Sequence, residues 1–479
     1  MNLKDTLLEQ MRDGARLSTR QQVSLIAMLS IPAILAQLSM IVMEYIDASM
    51  VGQLGAGPAA AIGLVAPLTW VFFGVTSASV TGFSVQVAQL IGAKNDAAAR
   101  NTFKQGAMVV GGFCLIVCAI ALTISPHVPA LLGGEEAIRH DAFRYFFIFM
   151  CAIPLMAAYR YLSAMLQCTG HVKTPSLVHV LTGILDVIFN FFLIFETREV
   201  ELWGQEWTMP GAGLGVTGAA LGTVLAEAVG LIVLIVAVVR LRFVLLPRRG
   251  ESFRWDGACL RRAVKISTPI AFEHMILSGA LVVTTAIIAP MGAVSLASNS
   301  LAVTAESFCY MPGFGIAEAA TTLVGQSIGA RQPQLAKRFA WMCIGFGMAM
   351  MAVTGAILYA VAPLLFRLLS PVQEIQTLGT QILRIEALAE PLYGASIVCT
   401  GALRGIGDTL VPTILNLASM WGIRITLSLL LAGSMGLVGG WIAMAAELCC
   451  RGILFLVRVA RTRWEHALIV PVSKASGLE

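Results

Sequence analysis

Val23 to Gly55 reads VSLIAMLSIPAILAQLSMIVMEYIDASMVGQLG, an apolar run long enough to cross a bilayer that nevertheless carries Pro32, Glu44 and Asp47. A spanning helix needs about 20 mainly apolar residues, and a charge at its centre costs about 2.5–3.5 kcal/mol on insertion scales. An acid kept there must offset that cost. The stretch returns 237 positions later, where Ser30, Pro32 and Gly55 become Ser267, Pro269 and Gly292, while Asp47 becomes Thr284. The chain is therefore doubled, and the acid belongs to one half only.

Of the 479 residues 57% are hydrophobic and 12% charged, against about 25% charged in a soluble globular chain. This is the composition of a polytopic membrane protein, embedded in a lipid bilayer. No short apolar stretch with an A-x-A-like site follows the polar start Met1–Gln22, so that start is expected to be a cytosolic tail and the first span to stay uncleaved. The ten cysteines lie in or at the ends of apolar spans without C-x-x-C or Cys/His spacing, which predicts reduced packing residues. The net charge of +5 is better explained by membrane orientation than by nucleic acid. No Walker motif, catalytic triad or zinc spacing is present, so neither an enzyme nor an ATP-driven pump is expected, and no cofactor is implied. Gly213-Leu-Gly215-Val-Thr-Gly218 spells GxGxxG, but it opens a span without a preceding strand and is echoed by Gly436-Leu-Val-Gly439. Close helix packing is the expected role.

Apolar runs between Gly, Pro and charge punctuation give twelve spans: 23–50, 58–82, 103–124, 143–167, 173–195, 214–239, 263–288, 294–322, 339–362, 376–403, 410–432 and 437–460. With the N-terminus inside, 24 Lys and Arg fall in cytosolic segments and four, Arg139, Arg144, Arg198 and Arg367, outside. This predicts both termini in the cytosol of a bacterial cell whose inner membrane the chain crosses repeatedly. At the offset of 237, Gln89–Lys94 aligns with Gln326–Arg331, Pro154 with Pro391, Gly170 with Gly407 and Pro175 with Pro412. The register then slips by 16, Gly215 and Gly218 matching Gly436 and Gly439, which places an insertion in the outer loop Glu196–Gly213. Six spans per half make the repeats parallel, related by a pseudo-twofold along the membrane normal. The expected organisation is a tail 1–22, a six-helix lobe 23–240, a linker 241–262, a second lobe 263–460 and a tail 461–479, all-α, with a cavity between the lobes.

The doubled Q-x-x-G-A motif (Gln89 to Ala93, Gln326 to Ala330), the turn Leu403-Arg404-Gly405-Ile406-Gly407-Asp408-Thr409 with Pro412, and the two six-span halves resemble the multidrug and toxic compound extrusion (MATE) family over residues 25–460. The resemblance implies two V-shaped lobes and export of organic, often cationic compounds in exchange for inward Na⁺ or H⁺. The NorM-like branch carries a glutamate eight residues after the seventh-helix proline and an aspartate eleven before the L-R-G arginine. Leu277 and Tyr393 stand at those places, so the chain looks closer to the DinF-like branch.

Asp47, deep in span 1 without a basic residue at helical spacing, is the expected coupling carboxylate, and the resemblance places it on the ion-binding first-helix aspartate. Asp186 and Asn190, at i and i+4 in span 5, share a helix face and offer hard oxygens suited to Na⁺ or a proton relay. Some family members have Asn before Asp here, so the order is reversed. Thr223 matches a family threonine that completes the site; its other reading is a hydroxyl bonded to its own helix. If sodium is the coupling ion, Asp47, Asp186 and Asn190 are its expected ligands. In the second half Glu273, His274, Glu306 and Tyr393 are candidates for the substrate cavity, with pairing between Glu273 and His274 the structural alternative. Glu227 and Glu447 are expected to pair with arginines such as Arg424 or Arg451. Gly92 and Gly329, in equivalent loops, are expected hinges.

Together these readings predict an alternating-access antiporter working as a monomer on a small organic molecule. Two other readings stay open: an exporter dedicated to one metabolite, such as a peptide–polyketide genotoxin precursor of the colibactin type, and a lipid-linked saccharide flippase. The flippase would have about fourteen spans and a strongly cationic cavity.

Overall fold

A computed structural model describes residues 3–202, 205–241, 243–246, 248, 251–467 and 470. Arg242, Arg249 and Lys474, counted above among the inner charges, lie outside the described residues, as do 203–204 of the insertion and the ends of both tails.

The chain is helical almost throughout. A short helix α1 (Leu3–Arg12) precedes α2 (Thr19–Gly52), α3 (Ala56–Gly92), α4 (Asp96–Ile124), the single turn α5 (Val128–Leu131), α6 (Glu136–Cys168), α7 (Lys173–Ile194) and α8 (Gly215–Arg240). The second half holds α9 (Gly257–Ile288), α10 (Ala293–Gly329), α11 (Pro333–Leu369), α12 (Gln373–Ala387), α13 (Glu390–Gly405), α14 (Leu410–Ser419) and α15 (Thr426–Ala460), with a π-helical turn at Met420–Ile425. Among the described residues nine helices are long and apolar enough to span by themselves, the last being Leu410–Ala460. That one holds two spans, because Gly436 (φ 57°, ψ −139°) breaks it. The polar-diluted α10 and the pair α12/α13 supply the other two, giving the twelve expected.

The offset of 237 governs the backbone as well as the sequence. α3 starts at 56 and ends at 92, α10 at 293 and 329; α4 and α11 start at 96 and 333. Each pair of equivalent turns closes the same way. Asn95 N–H donates to Leu90 O and Gln332 N–H to Ser327 O, with Lys94 (φ 56°) and Arg331 (φ 58°) left-handed. His171 N–H donates to Leu166 O and Asp408 N–H to Leu403 O, across Gly170 (φ 95°) and Gly407 (φ 79°). All four are six-to-one closures that satisfy the orphan carbonyls of a helix end. The symmetry fails at a proline: α6 runs unbroken through Pro154, whereas its counterpart splits into α12 and α13 just before Pro391. A proline lacks the N–H for the intrahelical bond and crowds the preceding turn; only the second half yields to it.

One element departs from the all-α expectation. The insertion at Glu196–Gly213 is an antiparallel hairpin of β1 (Glu196–Leu202) and β2 (Gln205–Ala212), with an irregularity between Glu196 and Arg198. A strand therefore does precede the GxGxxG stretch, contrary to expectation, while Gly218 still packs against the Leu193 backbone. Its seven- and eight-residue strands use the added residues to pair their own backbone groups.

The halves interlock. α3 packs on α9 and α10 on α2, so the second helix of each half lies against the first helix of the other. Small residues permit the approach: a Cβ at Gly82 would strike Ser267 and Ala263, and one at Gly315 would strike Ala33 and Ile34. Close backbone contact of this kind is the usual basis of helix association in lipid.

Candidate functional site

In the first half, α2 and α7 bring Asp47, Asp186 and Asn190 together. The Asn190 amide Nδ2 donates to Asp47 Oδ1 at 2.8 Å and to Asp186 Oδ2 at 3.3 Å. Asp186 and Asn190 are fully buried, Asp47 half-buried. Among the described residues, Asp186 Oδ1 and Asn190 Oδ1 have no hydrogen-bond partner. α8 forms the back wall: Gly222 has no side chain where a Cβ would collide with Asn190 Oδ1. Thr223, next along α8, donates to Ala219 O at 3.3 Å, the self-bonding alternative, and its hydroxyl also interacts with Asp186. Buried polar atoms normally find partners. Two orphan oxygens beside two carboxylates therefore make an oxygen-lined position that a monovalent cation or a proton can neutralise. The repeat does not reproduce it, since the equivalent positions are Thr284, Ile423 and Leu427; Thr284 bonds its own helix at Ala280 O, 2.9 Å.

The second-half candidates separate into two neighbourhoods. Glu273 on α9 accepts from Thr413 Oγ1 (2.9 Å) and Asn416 Nδ2 (2.6 Å) on α14, and with Tyr393 it lines a cavity of about 270 Å³. The His274 ring does not reach that carboxylate; it sits over Gly74 of α3. Glu306 is buried away from this cavity, interacting with Glu390, Arg424 and Arg451. Glu386 and Glu390 flank the break between α12 and α13, fully buried, interacting with each other and, for Glu390, with Cys309. Those two belong to no site assigned from the sequence; the signal was Pro391, whose helix break puts both acids on the same joint. Of the expected acid–arginine pairs, Glu447 meets Arg451 (3.2 Å), whose guanidinium also lies over the Tyr393 ring at 5.2 Å. Arg424 instead reaches the Met444 sulfur, and Glu227 forms no ion pair among the described residues.

Gly92 and Gly329 occupy one symmetric crossing. A Cβ on Gly92 would enter the backbone of Gln326, and one on Gly329 the backbone of Gln89. Their smallness serves close approach, while left-handed backbone falls two residues later, on Lys94 and Arg331. The neighbouring glutamines stitch this end: Gln89 Nε2 donates to Gly405 O (3.2 Å) and Gln326 Nε2 to Cys168 O (2.7 Å), each capping a helix end of the opposite half.

Comparison with known proteins agrees with this architecture. The MatE family model matches residues 32–192 and again 269–430, its two starts falling on Pro32 and Pro269. A probable multidrug resistance protein NorM of Thermotoga maritima is 25% identical over 450 residues, covering 92% of this chain and 93% of that protein. A second protein of that description, from Burkholderia pseudomallei, is 28% identical over 91% and 92%, and the uncharacterized transporter YisQ of Bacillus subtilis 26% over 87% and 90%. Among solved structures, the bent form of the Vibrio cholerae MATE transporter VcmN superposes with a TM-score of 0.79 at 16% identity, over 96% of this chain and 98% of that one. An outward-facing multidrug resistance MATE transporter superposes at 0.81 and 19%, over 94% and 96%. With the family model matched once in each half of a twelve-span, internally repeated bundle, the chain belongs to the MatE family of transporters.

Proposed function

We propose that the protein is a secondary antiporter that exports organic compounds, drugs or a natural product, in exchange for inward Na⁺ or H⁺, by rocking of the lobes 23–240 and 263–460 about the crossing at Gly92 and Gly329. The observation that carries this reading is the Asp47–Asn190–Asp186 cluster with its orphan oxygens. Two carboxylates close together in a low dielectric cannot both stay charged without a cation or proton between them. Ion entry and protonation are thus competing ways to neutralise one site. Because the cluster spans α2 and α7, and α2 also packs on α10 of the other half, a change at the site acts on the interface between halves. The same chain supplies both walls of the cavity, so it works as a monomer. One monovalent cation moving down about 100 mV supplies about 2.3 kcal/mol, which sustains a substrate gradient of about 50-fold. The excess of basic residues on one side supports a bacterial inner-membrane protein with both termini in the cytoplasm. Leu277 and Tyr393, at positions acidic in the NorM-like branch, support the DinF-like branch, although several relatives carry the NorM name.

Asp47→Asn keeps the volume and removes the charge. It is expected to abolish gradient-driven export in everted vesicles while the protein stays folded and inserted. Export by this variant with unaltered Na⁺ and pH dependence, assayed with each gradient imposed separately, would place coupling elsewhere.

A further inference from the structure

Two arginines without a part in the coupling cluster face one space. Arg160 on α6 and Arg404 on α13 line a cavity of about 310 Å³, with Gln37, His179 and Glu318 also in its wall. α6 and α13 are equivalent elements, so one guanidinium comes from each half. Neither makes a hydrogen bond or ion pair among the described residues. The other arginines within the spans are engaged: Arg384 with Tyr359, Arg424 with Met444, Arg451 with Glu447 and Tyr393.

Of the nearby acids, Glu227 on α8 feels the Arg160 charge but forms no ion pair with it among the described residues, and the others are held elsewhere. Glu318 accepts from Gln37 at 3.1 Å, and Glu273, in the adjoining cavity that shares Gln37, Glu318 and Arg404, is held by Thr413 and Asn416. Arg451, also in that adjoining wall, has Glu447 as its counter-ion. Partly desolvated cations are costly unless paired, and the planar guanidinium fork matches a carboxylate in two-point geometry. The cavity volume is that of a small-ligand site.

We propose that the transported compound carries a carboxylate seated between Arg160 and Arg404, with Glu318 and Gln37 beside it to receive a cationic or hydrogen-bonding group. Zwitterions and organic acids are then favoured over simple cations. Because the clamp takes one arginine from each half, bound anion ties the halves together at this end of the bundle, and separating them releases it. The inference rests on the export reading for its meaning, but the binding it predicts can be measured without transport.

The test uses the purified full-length protein and a fluorescent xanthene dye in two forms, the free benzoic acid and its methyl ester, with affinities read by anisotropy. The acid is expected to bind at least about tenfold more tightly than the ester, as for loss of one charged hydrogen-bonded pair. Arg160→Gln and Arg404→Gln are each expected to erase that preference, and Arg160→Lys to retain part of it. Should Arg404→Gln prove misfolded by thermal unfolding, the Arg160 variants decide, as that residue lies outside the L-R-G turn. Equal affinity for acid and ester, binding of neither, or a preference that survives both glutamine variants overturns the clamp. A preference without gradient-driven movement of the dye in everted vesicles would instead sink the export reading and leave the clamp standing.

Discussion

Asn190 has two amide protons and gives both to carboxylates, which leaves its own carbonyl oxygen without a donor. On the proposed coupling reading, that oxygen is the ligand Asn190 offers the ion. That Asp47 and Asp186 belong together was legible in the sequence, because acids in apolar runs are too costly to be incidental. The bridging role of Asn190 was not, since it depends on how α2 meets α7. Nor was Arg404, which counted as one of many orientation charges at span ends. Glu273 shows the opposite case. Its expected roles are a cavity acid or a partner of His274; it lines the cavity, and its partners are Thr413 and Asn416, which tie α9 to α14. Glu273→Ala is expected to lower stability by about 1.5–3 kcal/mol, read by thermal unfolding in detergent, with Glu273→Gln losing less because the amide still accepts one bond. An unchanged melting temperature in Glu273→Ala would refute the structural role.

At the scale of elements, α1 is where sequence reading fell furthest short. The polar start Met1–Gln22 is expected from the sequence to be a tail; within it the ten residues of α1 bury Leu7, Leu8 and Met11, and the helix bridges the halves. Lys4 Nζ donates to Gly170 O (2.9 Å) and Arg12 to Thr169 O (3.2 Å) on one side, while Arg12 also donates to Gln326 Oε1 and Gln332 to Met11 O on the other. Periodicity could suggest an amphipathic helix, but its partner surfaces come from segments more than 150 residues away. Next to it, His171 has its pKa lowered by burial and by the Lys4 charge. A histidine with a depressed folded value stabilises the docked state above its unfolded value of about 6.5 and loses that contribution as pH falls below it. A spin label at position 9, with the exposed Cys151 and Cys450 replaced by serine, should therefore become more mobile as pH drops from about 7.5 to 5.5. His171→Gln should flatten the response; mobility independent of pH in the wild type would dismiss His171 as the switch. The hairpin was missed for a different reason: an insertion is visible as a register slip, but whether it pairs its strands is a matter of local backbone satisfaction.

For the molecule as a whole, the repeat made the twelve spans legible, and several helix ends recur at the same offset. The interlock did not follow from it, since a doubled chain can place its halves side by side without exchanging contacts. Here α3 lies on α9 and α10 on α2, and the linker is anchored besides, Glu251 accepting from Arg100 at 2.6 Å. The Arg100 hydrogen bond holds the Glu251 carboxyl below the usual carboxylate range. If the interlock rather than the linker unites the halves, chains 1–247 and 248–479 expressed together should copurify through a tag on one of them. Replacing Gly315 by leucine, which fills the α10–α2 crossing, should reduce recovery of the untagged half severalfold; recovery only from the uncut chain would assign the union to the linker.

The α2–α10 contact also has a timetable. Ile34 leaves the ribosome 281 residues before Gly315, the residue that covers it, and synthesis proceeds at about 5–20 residues per second. For roughly 15–60 s the first span sits in the membrane with its acid, its proline and its small-residue face unaccompanied, and a nascent chain arrested short of α10 should crosslink from Ile34 to lipid or to the insertion machinery rather than to itself.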